Sequence, residues 1–314
     1  QFLPSGSVTS ASVQTLETYT ASTAGVTTLF ASATPSFSLS KSQIVYVCYI
    51  QGSDEICLMR GDGSDIRQLT SAPGTDWYPS LSPDGSTIVF SSQRSGNFEI
   101  FKMDTEGNQL VQLTHGIGNA FAPEISPEGT RIVFAASVND VQNIWVMGVD
   151  GASAHQLTFL QRDAIDPSWS PDGLYISFTS SIRGSGDLMI MSADGSNVRR
   201  VTDEINVEGR NDWSPDGRLL TFYAGPRGDK DIYIVEAACA SQIGGCQLAQ
   251  MNKLTDGGNN KGPAFSSDGE WITFASQLAG FNQIFIIQLN GTQIYQLTDA
   301  PYANWQPRWG VDSP

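Results

Sequence analysis

Apolar residues in this chain fall into short runs rich in β-branched and aromatic side chains, set between Gly-rich turns, and the pattern recurs at a fixed distance. In one unit, Asp166-Pro167-Ser168-Trp169-Ser170 predicts a short strand, A, ended by the corner Pro171-Asp172-Gly173. Proline suits the second position of a tight turn and glycine the positive-φ position. Leu174-Tyr175-Ile176-Ser177-Phe178-Thr179-Ser180 predicts strand B, and Asp187-Leu188-Met189-Ile190-Met191 strand C. Ala193-Asp194-Gly195 then turns the chain into strand D, Val198-Arg199-Arg200-Val201-Thr202. The corner returns as Ser-Pro-Asp-Gly at Ser82, Ser170 and Ser214 and as Ser-Pro-Glu-Gly at Ser126, successive ones 44 residues apart (126 − 82), and as Ser-Ser-Asp-Gly at Ser266 after 52 (266 − 214). Strand D repeats as Gln68-Leu69-Thr70, Gln112-Leu113-Thr114, Gln156-Leu157-Thr158, Lys253-Leu254-Thr255 and Gln296-Leu297-Thr298. A period in the forties built from four short strands predicts an all-β propeller with one four-stranded blade per repeat.

Strand A holds proline at its second position in Pro35, Pro79, Pro123, Pro167, Pro263 and Pro307, with Asn211 as the exception. Proline cannot donate to a ladder and belongs on an edge. The innermost strand of a blade is such an edge, so strand A is expected to line the central channel. Two residues on, Phe37, Leu81, Ile125, Trp169, Trp213, Phe265 and Trp309 form an apolar slot expected to pack blade against blade. Seven A strands stand against six clear B-C-D sets, and residues 1–34 are about long enough to partner the surplus one. Leu16, Tyr19, Val26 and Leu29 match the spacing of Ile100, Met103, Leu110 and Leu113. The expectation is seven blades, the last closed by both termini, with six as the alternative. The chain then divides into an N-terminal strand segment (1–34), a propeller (35–310) and a short tail (311–314).

Composition bears more on partners than on fold. The 314 residues are 40% hydrophobic and 16% charged, and unbroken repeats leave no room for a linker. No apolar run approaches the roughly 18 residues of a membrane helix. Gln1 in first place fits a processed mature protein. A net charge of −15 repels phosphate backbones and argues against nucleic acid. Asp62, Asp84, Glu106, Glu128, Asp150, Asp172, Asp194, Asp216 and Asp268 are not read as a functional patch. They sit at turns, where a short acid bonds nearby amides.

The four cysteines point to a compartment. The long repeat exceeds its neighbours by eight residues (52 − 44), and Cys239 and Cys246 bracket the insertion at the turn between strands C and D. That reads as a loop closed by its own disulfide. Cys48 and Cys57 fall on neighbouring strands B and C of the first blade, where a cross-strand bridge is geometrically reasonable. Four cysteines permit three connectivities, of which the local one is simplest. Each bridge would contribute about 2–3 kcal/mol, and both fit an oxidising, extracytoplasmic location.

Candidate chemistry is sparse. His115 and His155 belong to outer strands, and no metal-binding histidine pair, Gly-x-Ser-x-Gly elbow or phosphate-cradling loop occurs. No metal, cofactor or catalytic residue is assigned. Asp62-Gly63-Ser64-Asp65 lacks the downstream glutamate of a calcium loop and reads as a turn. Asn290-Gly291-Thr292 is a glycosylation sequon, although Asn-Gly is also the preferred hairpin dipeptide.

Repeats of the form Pro-x-Trp-Ser-Pro-Asp-Gly, Ile-x-Phe-x-Ser, Ile-Tyr-x-Met-x-x-Asp-Gly and Gln-Leu-Thr resemble the TolB propeller family over about residues 35–310. The resemblance implies a propeller used for binding: TolB resides in the periplasm, where its propeller holds a peptidoglycan-associated lipoprotein. Residues 1–34 show no counterpart of the α/β domain that precedes that propeller, so the chain reads as a stand-alone TolB-type propeller. The hydrolase domain of prolyl oligopeptidases and the histidine-rich metal site of a pectin-fragment lyase have no counterpart either. The leading expectation is a non-catalytic, extracytoplasmic module gripping a protein or glycan at one face. The alternatives are an assembly subunit whose N-terminal strands complete a neighbouring copy and, more remotely, a polysaccharide lyase or hydrolase. Irregular residues cluster in the D-to-A connections and nominate one rim: Asp76, Trp77, Tyr78, Asn119, Phe121, Asp163, Glu208, Arg210, Asn260, Asn304 and Trp305.

Overall fold

A computed structural model of the protein describes residues 39–182 and 184–310. Its repeat is built first from local hydrogen bonds. At the corner after the innermost strand, Ser82, Ser170, Ser214 and Ser266 donate to the aspartate two residues on at 2.5–2.6 Å. The same hydroxyls accept from the first amide of the next strand, that of Thr87, Tyr175, Leu219 or Trp271, each at 2.9 Å. Glu128, one methylene longer, pairs with Arg131 instead at 2.7 Å. The threonine ending strand D is a buried clamp. Thr70, Thr114, Thr158 and Thr298 accept from an amide of the third strand and donate to Glu55, Glu99, Asn143 and Gln283. The signature residues are therefore those that terminate one strand and dock the outermost one.

Among the described residues, twenty-four strands make six antiparallel four-stranded sheets. Blade one holds β1 (Gln43–Ile50), β2 (Ser53–Arg60) and β3 (Arg67–Gln68); blade two holds β4 (Asp76–Leu81), β5 (Thr87–Ser92), β6 (Glu99–Asp104) and β7 (Val111–Gln112). Blade three is β8 (Asn119–Ile125), β9 (Arg131–Val138), β10 (Val141–Gly148) and β11 (His155–Gln156). Blade four is β12 (Ala164–Trp169), β13 (Tyr175–Ser180), β14 (Asp187–Ser192) and β15 (Arg199–Arg200). Blade five is β16 (Asp212–Trp213), β17 (Leu219–Ala224), β18 (Asp231–Glu236) and β19 (Asn252–Lys253). Blade six is β20 (Lys261–Phe265), β21 (Trp271–Ser276), β22 (Gln283–Gln288) and β23 (Ile294–Gln296). The last strand, β24 (Asn304–Gly310), returns to blade one.

That return corrects the blade count. β24 pairs along β1 from Gln43↔Gly310 to Cys48↔Asn304 and is the innermost strand of the first sheet. A blade has one inner edge, and β24 fills it in blade one, so the ring closes at six and not seven. The strand expected at Pro35–Ser38, the segment 1–34 with its proposed blade or intermolecular docking, and the tail 311–314 all lie outside the described residues. Among the described residues no helix is long and apolar enough to cross a membrane.

The apolar slot packs as its spacing implies. Leu81 joins Val45, Val47, Ile56 and Leu58 of blade one to Ile88 and Phe90 of blade two. Trp169 does the same between blades three and four, Trp213 between four and five, Phe265 between five and six, and Trp309 between six and one. The core is thus a cycle of inter-blade clusters, and each needs the next.

Both expected disulfides form, Cys48–Cys57 with Cα atoms 5.9 Å apart and Cys239–Cys246 at 5.2 Å. The inserted loop between β18 and β19 also reaches blade four. Cys246 donates its amide to Val201 and accepts from the amide of Asp203, each at 2.8 Å. The insertion therefore ties two outer edges together.

Ring closure has a direct test. Ending the chain before Asn304 strips the inner edge of β1, where Ile44, Val45 and Val47 are wholly buried, and leaves an apolar edge open to association. The truncated protein is expected to aggregate or to lose cooperative thermal unfolding. A soluble monomer unfolding like the parent would show that β24 does not close the ring.

Candidate functional site at the channel mouth

Strand alternation puts the connections entering the innermost strands on one rim, together with the loops joining second and third strands. Several residues nominated on this rim are tied to neighbouring groups. Asp76, 1% exposed, sits 2.7 Å from Arg94, whose guanidinium lies 5.1 Å from the centroid of the Phe101 ring. Asn260 donates to Thr255 Oγ1 and Gly257 O, and Asn304 to Gln283 Oε1. Asn119 and Asp163 accept from the amides of Phe98 and Gln142. Glu208 accepts from the buried Lys230 at 2.5 Å. These six hold loops in place. Away from this rim, Asn290 is exposed and accepts from Thr292 within its own turn.

The nominated aromatics behave differently. Trp77, Tyr78, Phe121 and Trp305 are half-buried and converge, with Phe98 added from the loop between β5 and β6. Trp77 stacks on Phe98 with centroids 5.0 Å apart and meets Trp305 edge-on at 5.8 Å. Phe98 lies 4.8 Å from Phe121, which in turn lies 6.1 Å from Tyr78. The Trp77 indole donates to Asp54 at 2.8 Å. Five rings from blades one, two and three thus form a crescent that ends at the channel.

The channel wall follows from a backbone irregularity. Tyr78, Ala122, Asp166 and Gln306, each just ahead of its proline, have φ between 50° and 55°, and Gly262 has φ 62°. The ladder to the second strand shifts at each of these places, and such a bulge re-aims a side chain. In blade five the left-handed residue is Gly209, and Arg210 holds the equivalent position. Arg210 spans the channel, donating to Pro79 O at 3.0 Å and Gln306 O at 3.2 Å, with its guanidinium 5.4 Å from the Tyr78 centroid. Burial, with Arg308 nearby, brings Arg210 down from 12.5 to about 10, so it stays charged at neutral pH.

One level deeper, Arg308 reaches blades three and five. Its Nη2 donates to Glu124 Oε2 at 2.9 Å, and Nη1 lies 2.8 Å from Asp212 Oδ1, near enough for the charges although not aligned as a hydrogen bond. Glu124 also accepts from the Trp169 amide and Asp212 from the Phe265 amide, each at 2.7 Å. Burial pushes both carboxyls up, and Arg308 opposes it.

Asp166 is the odd charge. Among the described residues its carboxylate makes no hydrogen bond and no ion pair, although it is only 7% exposed. Burial raises it from 3.8 to about 6 against the pull of Arg210 and Arg308. It flanks Gly209, where a Cβ would come 2.4 Å from the Tyr223 hydroxyl and 3.0 Å from Asp166 Oδ2. Glu124, Asp166, Asp212, Tyr223 and Arg308 were not nominated from the sequence. The signal that marks most of them is variation at two fixed offsets of a regular repeat. One series reads Tyr78, Ala122, Asp166, Arg210, Gly262 and Gln306; two residues on stand Ser80, Glu124, Ser168, Asp212, Ala264 and Arg308. Among the described residues no group of three His, Cys, Asp or Glu side chains could hold a metal ion.

Comparison with known proteins agrees with this architecture. The family model of the TolB beta propeller domain matches residues 6–120 and 112–243. An uncharacterised protein of Agrobacterium fabrum is 41% identical over 56 residues, 18% of this chain and 19% of that protein, so the match spans about a fifth of its length. The crystal structure of TolB from Acinetobacter baumannii superposes with a TM-score of 0.74 at 21% identity, covering 87% of this chain and 68% of that one. A TolB-type structure from Agrobacterium tumefaciens gives a TM-score of 0.65 at 19% identity, with 84% and 90% covered. Similarity at this identity speaks to the fold.

The unpartnered acid has a thermodynamic signature. A carboxyl raised on folding favours the folded state at low pH, and that advantage is lost as pH climbs from the unfolded value through the folded one. Stability of the parent should therefore decline between pH 4 and about 6 on account of Asp166. Asp166→Asn is expected to be more stable at pH 7.5 by roughly 3 kcal/mol, with the gain vanishing near pH 4. A gain that is absent at pH 7.5, or equal at both pH values, would show that the site does not hold a desolvated carboxylate.

Proposed function

The chain belongs to the TolB beta propeller domain family, and from that premise we propose that it is a non-catalytic, extracytoplasmic interaction module that holds a protein partner on the rim around the channel mouth. The observation that carries the reading is the crescent Trp305, Trp77, Phe98, Phe121 and Tyr78. Aromatic side chains supply large contact area at small entropic cost and are enriched where interfaces concentrate their energy. Here they rest on three blades whose positions the closed ring fixes, so the patch is organised before a partner arrives. The opposite rim carries polar corners and turns such as Asp84, Asp172 and Asn290, exposed and satisfied by their own neighbours.

The extracytoplasmic part of the reading rests on the two disulfides, which persist where thiols are not kept reduced, and on the family.

Site-specific photo-crosslinking tests the rim. A photoreactive phenylalanine analogue at Phe121 is expected to trap a protein partner in the native source, and the same analogue at Asn290 to trap none. Equal trapping at both positions, or trapping at Asn290 alone, would remove the rim assignment.

A further inference from the structure

Asp166 is only 7% exposed, and among the described residues its carboxylate makes no hydrogen bond or ion pair, which leaves it ready to take a cation. The groups that act on Asp166 are Arg210 just ahead of β16, Arg308 on β24, Tyr78 on β4 and Tyr223 on β17. Glu208, beside Tyr223, is held by Lys230. Both guanidiniums are committed elsewhere: Arg210 to two carbonyls across the channel, Arg308 to Glu124 and Asp212. Three carboxylates thus face two cations, and Asp166 is the one left over. Its neighbour around the ring on the side away from Arg210 is Ala122, which offers only a methyl group.

We propose that the channel mouth receives a lysine or arginine side chain from the protein partner, its cation seated against the Asp166 carboxylate. The inference rests on the protein-binding reading above and names the chemistry of the contact. The aromatic crescent ends on Tyr78, whose ring already lies under the Arg210 guanidinium, so a partner spread over the crescent projects a side chain over this opening. A chain of net charge −15 attracts a basic partner and repels an acidic one. The contact completes the ion pair that the fold leaves half-made, and it is strongest when Asp166 is ionised.

Carbon-13 NMR of the aspartate carboxyls in the full chain tests this, with Asp166→Asn identifying the resonance. The probes are the blocked tripeptides Gly-Lys-Gly and Gly-Glu-Gly at millimolar concentration. The lysine peptide is expected to lower the Asp166 midpoint by about one unit, which corresponds to about fivefold tighter binding at pH 7.5 than at pH 5. The glutamate peptide should leave the midpoint in place, and Asp166→Asn should bind the lysine peptide at least tenfold more weakly. An unmoved midpoint, an equal shift with both peptides, or undiminished binding by the variant would overturn the proposal. Failure of the Phe121 crosslink alongside a lysine-specific shift would reject the rim reading and keep this contact; a productive crosslink with an unmoved midpoint would do the reverse.

Discussion

A strand from the far end of the chain, β24, lies along the inner edge of β1, and through Arg308 it also binds blades three and five across the channel. The hydrophobic clusters need this closure, because each is shared between two blades and an open ring would leave Trp309 without one of its walls. The channel needs it as well. Arg210 is held by carbonyls of Gln306 on β24 and of Pro79 on β4. Without β24 the deep carboxylates Glu124 and Asp212 would face each other with no cation between them. Removing one member of a buried charge network leaves the others uncompensated, which costs more than the network contributes intact.

Closure also gives the candidate site its rigidity. Five bulged inner strands and the segment ahead of β16 place one residue each at equivalent channel positions, and the identities there differ where the rest of the repeat is uniform. Tyrosine, aspartate, arginine and glutamine alternate there with alanine and glycine. The Thr114 position is threonine in all six blades and the Ser170 position is serine in five, with Gly310 in the other, because these residues perform shared local hydrogen bonding. The channel positions have no such shared task, so they are free to carry an asymmetric function. The aromatic crescent shows the same asymmetry, being confined to three of six blades.

Much of this was legible in the sequence. The 44-residue period, the Pro-Asp-Gly corners and the Gln-Leu-Thr ends gave the blades and the order of strands within them. The cysteine pairs followed from one inserted loop and one pair of adjacent strands. Blade number is not legible in the same way: inner-strand signals at both Pro35 and Pro307 suggest a seventh blade, whereas β24 supplies the inner edge of blade one; periodicity records how often a strand type occurs and not which edge it occupies. At the rim, Trp77, Tyr78, Phe121 and Trp305 came together, whereas Asp76, Asn260 and Asn304 proved to be internal braces. Loop membership alone does not distinguish a side chain turned outward from one satisfying its own backbone. The channel charges were missed because Glu124, Asp212 and Arg308 are 88 and 96 residues apart in sequence (212 − 124, 308 − 212) and meet only across the ring.

The claim that the closing strand is locked through Arg308 can be measured by equilibrium unfolding of Arg308→Met against the parent across pH. With the guanidinium gone, Glu124 and Asp212 are buried and unpaired at neutral pH, and a loss of about 3–5 kcal/mol is expected at pH 7.5. Their folded-state carboxyls then titrate well above the unfolded ones, so the deficit should shrink as pH falls and they take up protons. A variant as stable as the parent at pH 7.5, or one with the same deficit at pH 5 and pH 7.5, would contradict the lock.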